Sequence, residues 1–236
     1  QWHLNNTGQK TFSEYAGIAG EDMNMLTTVS EGYTGKGIKV AVLDSGLEIA
    51  HEDLSANIIS GGSWDFVGGD TDPTPTSTGG DHGTKVAGII AARDRNGIGV
   101  RGVAPRVQLK GFNILKNQNT TNYLKALGAS SSSPNSSDID IFNLSIGFGS
   151  NYDTQMNSSI ESQLLNGVTN LRNGNGSIYV KASGNMFETW PASTNCTPSF
   201  NAVLTCHNTN MDPWNTLPYL IVTGAVKATG DISNYS

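Results

Sequence analysis

Five short apolar runs set the terms of any fold open to this sequence. They lie at 38–43 (IKVAVL), 107–114 (VQLKGFNI), 139–145 (IDIFNLS), 178–182 (IYVKA) and 219–226 (YLIVTGAV). Each is rich in β-branched residues and apolar at successive positions, or nearly so. A strand exposed on one face alternates; one that does not alternate must be covered on both faces. Helical patterns lie between the runs. Residues 83–93 (GTKVAGIIAAR) are small and apolar, suited to close packing. Residues 153–172 place Ile160, Leu164, Leu165, Val168 and Leu171 on one helical face. Residues 122–127 form a shorter candidate, and 22–29 an N-terminal one. Strand alternating with helix predicts an α/β fold, with a mainly parallel central sheet and helices on both faces.

The segments 61–80 and 130–137 are turn chemistry throughout, with Gly, Pro, Ser, Thr and Asp. Apolar runs resume at once on either side, so both read as surface loops rather than domain linkers. The 236 residues suit one large domain or two small ones. Net charge is −6 with no Lys/Arg cluster, which makes nucleic acid a poor partner. No apolar run approaches the roughly 18–20 residues that cross a bilayer. The opening Gln-Trp-His-Leu lacks a basic stretch followed by an apolar one, so no signal peptide is expected within the chain. Charged residues make up only 14%, a balance that suits a secreted, loop-rich protein. Cys196 and Cys206 bracket a short segment without metal-ligand spacing. They are expected to form a local disulfide, worth about 3 kcal/mol in the chain-entropy model, in an oxidising compartment; two buried thiols are the alternative.

In an open parallel sheet, sites form beyond the carboxyl ends of the strands. Asp44 follows the first run, in Asp44-Ser45-Gly46. Ser145, Ile146 and Gly147 end the third, and Ser183-Gly184-Asn185 follow the fourth. His82 opens the small-residue helix in Asp81-His82-Gly83-Thr84. Strand order thus brings an acid, an imidazole and an amide to one rim. A serine nucleophile needs a base, the base needs a carboxylate to fix its tautomer, and the oxyanion needs a donor; Asp44, His82 and Asn185 suit these three roles. A helix N-terminus also disfavours added positive charge on His82, keeping the imidazole ready as a base. Singly, each residue has an ordinary explanation: a turn acid, a helix cap, a left-handed turn amide. The coincidence of all three is the signal.

These segments also resemble a known family. Residues 35–54 (GKGIKVAVLDSGLEIAHEDL) resemble the aspartate block of the subtilisin family, 82–92 (HGTKVAGIIAA) its histidine block, 96–105 (NGIGVRGVAP) the calcium-loop segment that follows, and 179–185 (YVKASGN) its oxyanion block. Within the family the kexin/furin branch is most similar, including extracellular bacterial kexin-like proteases of the Aeromonas type. Trp2-His3-Leu4, residues 62–66 (GSWDF) and Asp72-Pro73-Thr74-Pro75 carry that likeness. The resemblance implies a secreted serine endopeptidase with a subtilisin-like fold. Asp44 would orient His82, and Asn185 would hold the oxyanion. The substrate would lie as an extended strand along Leu144, Ser145, Ile146 and Gly147, with Lys181, Ala182, Ser183 and Gly184 forming the opposite wall. It also implies Ca²⁺ held by Asp53, by the side chain of Asn96 and the carbonyls of Asp94, Ile98 and Val100, with Asp22 as a further ligand; hard oxygen donors suit that ion.

Some features depart from the branch. Kexins usually carry Asp-Asp-Gly where this chain has Asp44-Ser45-Gly46. The first acid after Gly147 is Asp153, expected to cap its helix or to serve as an S1 acid, so a basic P1 preference is only weakly implied. The family's Gly-Thr-Ser nucleophile motif does not occur in the 236 residues. The chain is therefore expected to be the N-terminal portion (1–236) of a peptidase domain that is incomplete at its C-terminus. Its serine would lie in a C-terminal remainder of the same domain, and the piece alone would not hold the native fold. Peptide substrates, that remainder, and a prosegment or downstream domain are the expected partners. The alternative is a protease-like binding or scaffold module without catalysis. A nucleotide-binding protein is disfavoured, because neither G-x-G-x-x-G nor a Walker loop is present.

Overall fold

A computed structural model describes every residue except 12–13, 78–79, 148–154, 186–208, 234 and 236. In chain order the elements are α1 (Leu26–Ser30), β1 (Lys39–Leu43), α2 (His82–Ala91), β2 (Gln108–Phe112), α3 (Thr120–Leu124), β3 (Ile141–Leu144), α4 (Ser158–Asn170), β4 (Ile178–Ala182) and β5 (Leu220–Thr223). They belong to two compact units. The larger comprises Gly32–Ile146 and Met156–Lys181; the smaller comprises Gln1–Glu31, Gly147–Gln155 and Ala182–Ser236.

In the larger unit β1 pairs with β2 on one side and with β3 on the other, and β4 lies outside β3, all in parallel. The pairing register explains the unbroken apolar runs. Val40 sits opposite Leu109 and Ile141, while Ala41 sits opposite Lys110 and Phe142. Val40, Val42 and Leu109 join one cluster with Ala87 and Ala91 of α2. Successive strand residues point to opposite faces, so Phe142 and its partner Tyr179 project from the other side. There their rings stack with centroids 4.6 Å apart, and the Tyr179 hydroxyl donates to Leu127 O at 2.8 Å. Gly167 of α4 meets the same tyrosine, and a Cβ there would lie 2.6 Å from its Cζ. Helices therefore cover both faces, as the sequence predicts. The small side chains of α2 are what let its backbone approach β1.

The helix ends differ from expectation for local reasons. Asn157 caps α4, its side chain accepting from Ser159 N and Ile160 N at 3.1 and 3.3 Å, so the capping role expected of Asp153 belongs to Asn157. Asp153 itself lies outside the described residues. On α4, Ile160 and Leu164 are buried as expected, but Leu165 is 44% exposed. Gln163 takes the inward position instead, and its amide donates to Leu127 O at 3.1 Å. Asn119 caps α3 by accepting from Asn122 N at 2.9 Å, which starts that helix two residues earlier than expected. The N-terminal helix begins only at Leu26. Asp22 Oδ1 accepts Asn24 N at 2.7 Å, and Asn24 turns to φ 52°, a local turn that competes with helix.

Charges close the edge where the strands of this unit begin. Asp138 bridges two strands, accepting from Lys39 of β1 and from buried Lys110 of β2, both at 2.7 Å. Asp140 accepts Lys39 N at 2.7 Å and pairs with Arg172 beyond α4.

The smaller unit holds α1, β5 and a short bridge between Val226 and Ile232. Its hub is buried Asn6, whose Nδ2 donates to Glu21 O at 2.9 Å and Ala228 O at 2.8 Å. One amide thereby ties the N-terminal segment to the last turn of the chain. Just past β4, Ser183 N donates to Thr223 O of β5 at 2.9 Å. Among the described residues no helix is long and apolar enough to cross a membrane.

Candidate active site

The carboxyl end of β1 is held rigidly by its neighbour. Asp44 N donates to Phe112 O at 3.0 Å, and Asp44 O accepts Leu115 N at 3.2 Å. The Asp44 side chain is fully buried, and its Oδ1 accepts Ser45 N at 2.5 Å. His82, first residue of α2, places Nδ1 at 2.8 Å from Asp44 Oδ1 and 2.9 Å from Oδ2, while its side chain is 61% exposed. An ionised carboxylate only accepts, so Nδ1 donates and Nε2 is left as an acceptor. The imidazole thus has one nitrogen bound to a buried acid and the rest of the ring open to solvent.

Glycine makes this approach possible. A Cβ at Gly83 would strike Gly46 O and lie 2.8 Å from Asp44 Cβ, so only glycine lets the helix start sit on the strand end. Two polar straps hold the contact. Ser45 Oγ donates to Gly80 O at 2.8 Å and accepts Gly83 N at 3.3 Å, while Thr84 Oγ1 accepts Glu48 N at 3.0 Å. The hydrogen bond from Lys85 holds the Asp81 carboxyl below its usual range, and that carboxylate lies 2.9 Å from Lys85 rather than capping the helix. Ser45 is the functional candidate that the sequence alone did not single out; its place between Asp44 and Gly46 was the available signal.

The other expected site residues divide between the units. Leu144 ends β3 in the larger unit, and Ser145 and Ile146 follow it; Leu144 and Ile146 are buried, and Ser145 Oγ accepts from Asn143 Nδ2 at 2.9 Å. Lys181 pairs in register with Leu144 and is wholly buried. Gly147, Ala182, Ser183, Gly184 and Asn185 belong to the smaller unit, where a Cβ on Gly147 would come within 3.9 Å of Gly184 Cα. Cys196 and Cys206, and with them the expected disulfide, lie outside the described residues.

The expected calcium ligands separate in the same way. Asp53 Oδ1 accepts Asn96 Nδ2 at 2.7 Å and Oδ2 accepts Val100 N at 2.9 Å, and a Cβ at Gly99 would collide with that carboxylate. Asp53, Asn96, Ile98 and Val100 are therefore linked in one loop, where Asn96 Oδ1 in turn accepts Ile98 N at 3.4 Å, and the oxygen donor types they carry are those a hard cation takes. Asp94 fits less well. Its carboxylate pairs with Arg101 and Arg106 at 3.0 and 2.8 Å, and its carbonyl faces Arg106 Nη2 at 3.4 Å. Asp22 lies in the smaller unit, where accepting Asn6 N, and then Asn24 N, lowers its carboxyl below the ordinary value. Among the described residues no three His, Cys, Asp or Glu side chains gather as a metal site, so a cation here would depend on amide and carbonyl oxygens.

A model of the peptidase S8, or subtilase, family matches residues 35–236. The chain belongs to the subtilase family. Among subtilases it is 42% identical to the extracellular serine protease of Aeromonas sobria, over 244 residues covering 100% of this chain and 38% of that protein. The dibasic-processing endoprotease of Schizosaccharomyces pombe is 33% identical, over 78% of this chain and 24% of that protein. A crystal structure of the A. sobria protease matches with a TM-score of 0.85 at 39% identity, covering 100% of this chain and 40% of that one. A second structure, of the same protease with a chaperone, matches at 0.84 and 37%. The chain thus spans at most about two fifths of the length of these relatives. The subtilisin-like fold and the likeness to kexin-type proteases expected from the motifs are both borne out.

Proposed function

We propose that these 236 residues are the N-terminal portion of the peptidase domain of a secreted serine endopeptidase. The supporting observation is the Asp44–His82 pair, a fully buried acid bound to Nδ1 of an exposed imidazole. Asp44 orients the ring and stabilises its cation. Nε2 takes the proton of a serine hydroxyl, and the serine oxygen attacks the scissile carbonyl carbon. The imidazolium then returns that proton to the leaving amine, and water, activated by the same Nε2, hydrolyses the acyl-enzyme. Asn185 and a backbone N–H hold the oxyanion in both halves. The serine is assigned to a segment outside these residues, because no Gly-Thr-Ser motif occurs within them.

The substrate binds as a strand along Leu144–Gly147, with Lys181–Gly184 as the other wall of the S1 pocket. The name of the fission-yeast relative supports a preference for basic side chains at P1. Secretion is supported by the extracellular A. sobria relative, and a disulfide between Cys196 and Cys206 accords with it. Calcium is assigned to Asp53, Asn96, Ile98 and Val100, where it would neutralise the carboxylate and brace the loop after α2; Asp94 and Asp22 are weaker members of the set. A chaperone partner is proposed by likeness to the A. sobria complex; a prosegment or downstream domain is proposed from the motif likeness alone.

The test uses the full-length protein. His82→Ala should abolish peptide hydrolysis while leaving labelling of the protein by peptide ligands intact; undiminished turnover would end the assignment. The second reading, a binding module without catalysis, is favoured by the missing motif alone. A fluorophosphonate that labels no serine in the full-length protein would establish it.

A further inference from the structure

We propose that Ser45 is a positioning residue for His82, its hydroxyl capping from the end of β1 the helix that His82 begins. The proposal rests on Asp44 and His82 acting as orienting acid and base. Helix α2 opens with backbone N–H groups that have no partner within the helix. Its own N-cap, Asp81, supplies no side-chain bond, because that carboxylate is turned toward Lys85. The acceptor comes instead from 38 residues earlier, where Gly83 N donates to Ser45 Oγ at 3.3 Å. The same hydroxyl spends its one proton on Gly80 O at 2.8 Å, and Ser45 N donates to Asp44 Oδ1 at 2.5 Å.

One residue therefore touches the Asp44 carboxylate and the backbone of Gly80 and Gly83, on either side of His82 in the chain. Within these 236 residues the His82 side chain is 61% exposed, so little in this segment packs against the ring to orient it. Its bond to Asp44 depends on where the first turn of α2 is held. Removing the hydroxyl frees Gly83 N and Gly80 O together, and the turn can shift relative to a carboxylate that stays fixed by the backbone of β1. A misplaced base lowers the rate of the chemical step without changing the walls that bind substrate.

The experiment compares Ser45→Ala, Ser45→Thr and His82→Ala in the full-length protein, with functional sites counted by a fluorophosphonate. In Ser45→Ala, kcat per site should fall about tenfold with KM unchanged, the cost expected of a misaligned general base. Ser45→Thr, which keeps the hydroxyl, should restore kcat. Should the alanine variant fail to fold, Ser45→Thr and Ser45→Val, alike in shape and different in the hydroxyl, make the same comparison. Wild-type kcat without the hydroxyl, with only a lower Tm, would overturn the proposal while an inactive His82→Ala left the catalytic pair standing. Hydrolysis surviving in His82→Ala would overturn the pair and the tether with it.

Discussion

Asp44 and His82 were legible in the sequence because two simple rules locate them: one ends a buried strand, the other begins a helix of small residues. Their distance was not legible. It depends on Gly83, where any side chain would strike the strand end, and on the hydroxyl of Ser45 reaching residues 80 and 83. Replacing Asp44 by Asn should leave the ring in place but offer it the wrong hydrogen-bond partner. In the full-length protein kcat should drop by about 10³- to 10⁴-fold, measured on a peptide substrate, with little change in KM. The side chain of Asp94 was not legible in this way: Arg101 and Arg106, seven and twelve residues away, converge on its carboxylate.

Between elements, packing overrides local preference. Alanine is favoured over glycine inside a helix by about 1 kcal/mol. Gly167→Ala should nevertheless destabilise the protein by about 1–3 kcal/mol, since the new Cβ would overlap Tyr179 between α4 and β4. A urea-denaturation midpoint below that of wild type would show it. The charge bridge across β1 and β2 makes a pH-dependent prediction. Burial pushes the Asp138 carboxyl up, but hydrogen bonds from Lys110 and then Lys39, with their charges, outweigh burial and hold it below the ordinary range. A carboxyl lowered on folding adds stability that is complete above its unfolded pKa of 3.8 and is lost as pH falls through the lower folded value. Asp138→Asn should therefore cost about 1–2 kcal/mol at pH 7, allowing for solvent screening of this partly exposed group. The gap to wild type should narrow progressively in denaturation measured as pH falls below 3.8. The exposed Leu165 on α4 belongs here as well. Periodicity alone ranks it with Leu164, but the bond from Gln163 to Leu127 O sets the rotation of the helix.

For the molecule as a whole, the chain builds a parallel sheet with helices on both faces and a second compact unit drawn from its N-terminal segment and last quarter. Asn6 shows how that second unit is made: its amide joins residues 21 and 228, a contact no local pattern announces. The proposed cation belongs to this scale, because the Asp53 cradle clamps the loop that follows α2 to the turn that precedes the 55–57 segment. Calcium at about 100 times its Kd should stabilise the full-length protein by about 2.7 kcal/mol. A calcium-dependent rise in Tm that is absent in Asp53→Asn would support the cradle; equal response in both would remove it.

Strand positions, the parallel sheet and the candidates proposed as acid and base follow from residue order alone, since a strand covered on both faces is largely apolar and a parallel sheet gathers its strand ends at one rim. Folding had to supply the rest. Which glycine admits the close approach, which hydroxyl ties the helix start to the strand, and which carboxylates are already claimed by arginine or lysine are settled by contacts between residues far apart in the chain. No local propensity encodes such contacts, because each exists only once both partners have been brought to the same place.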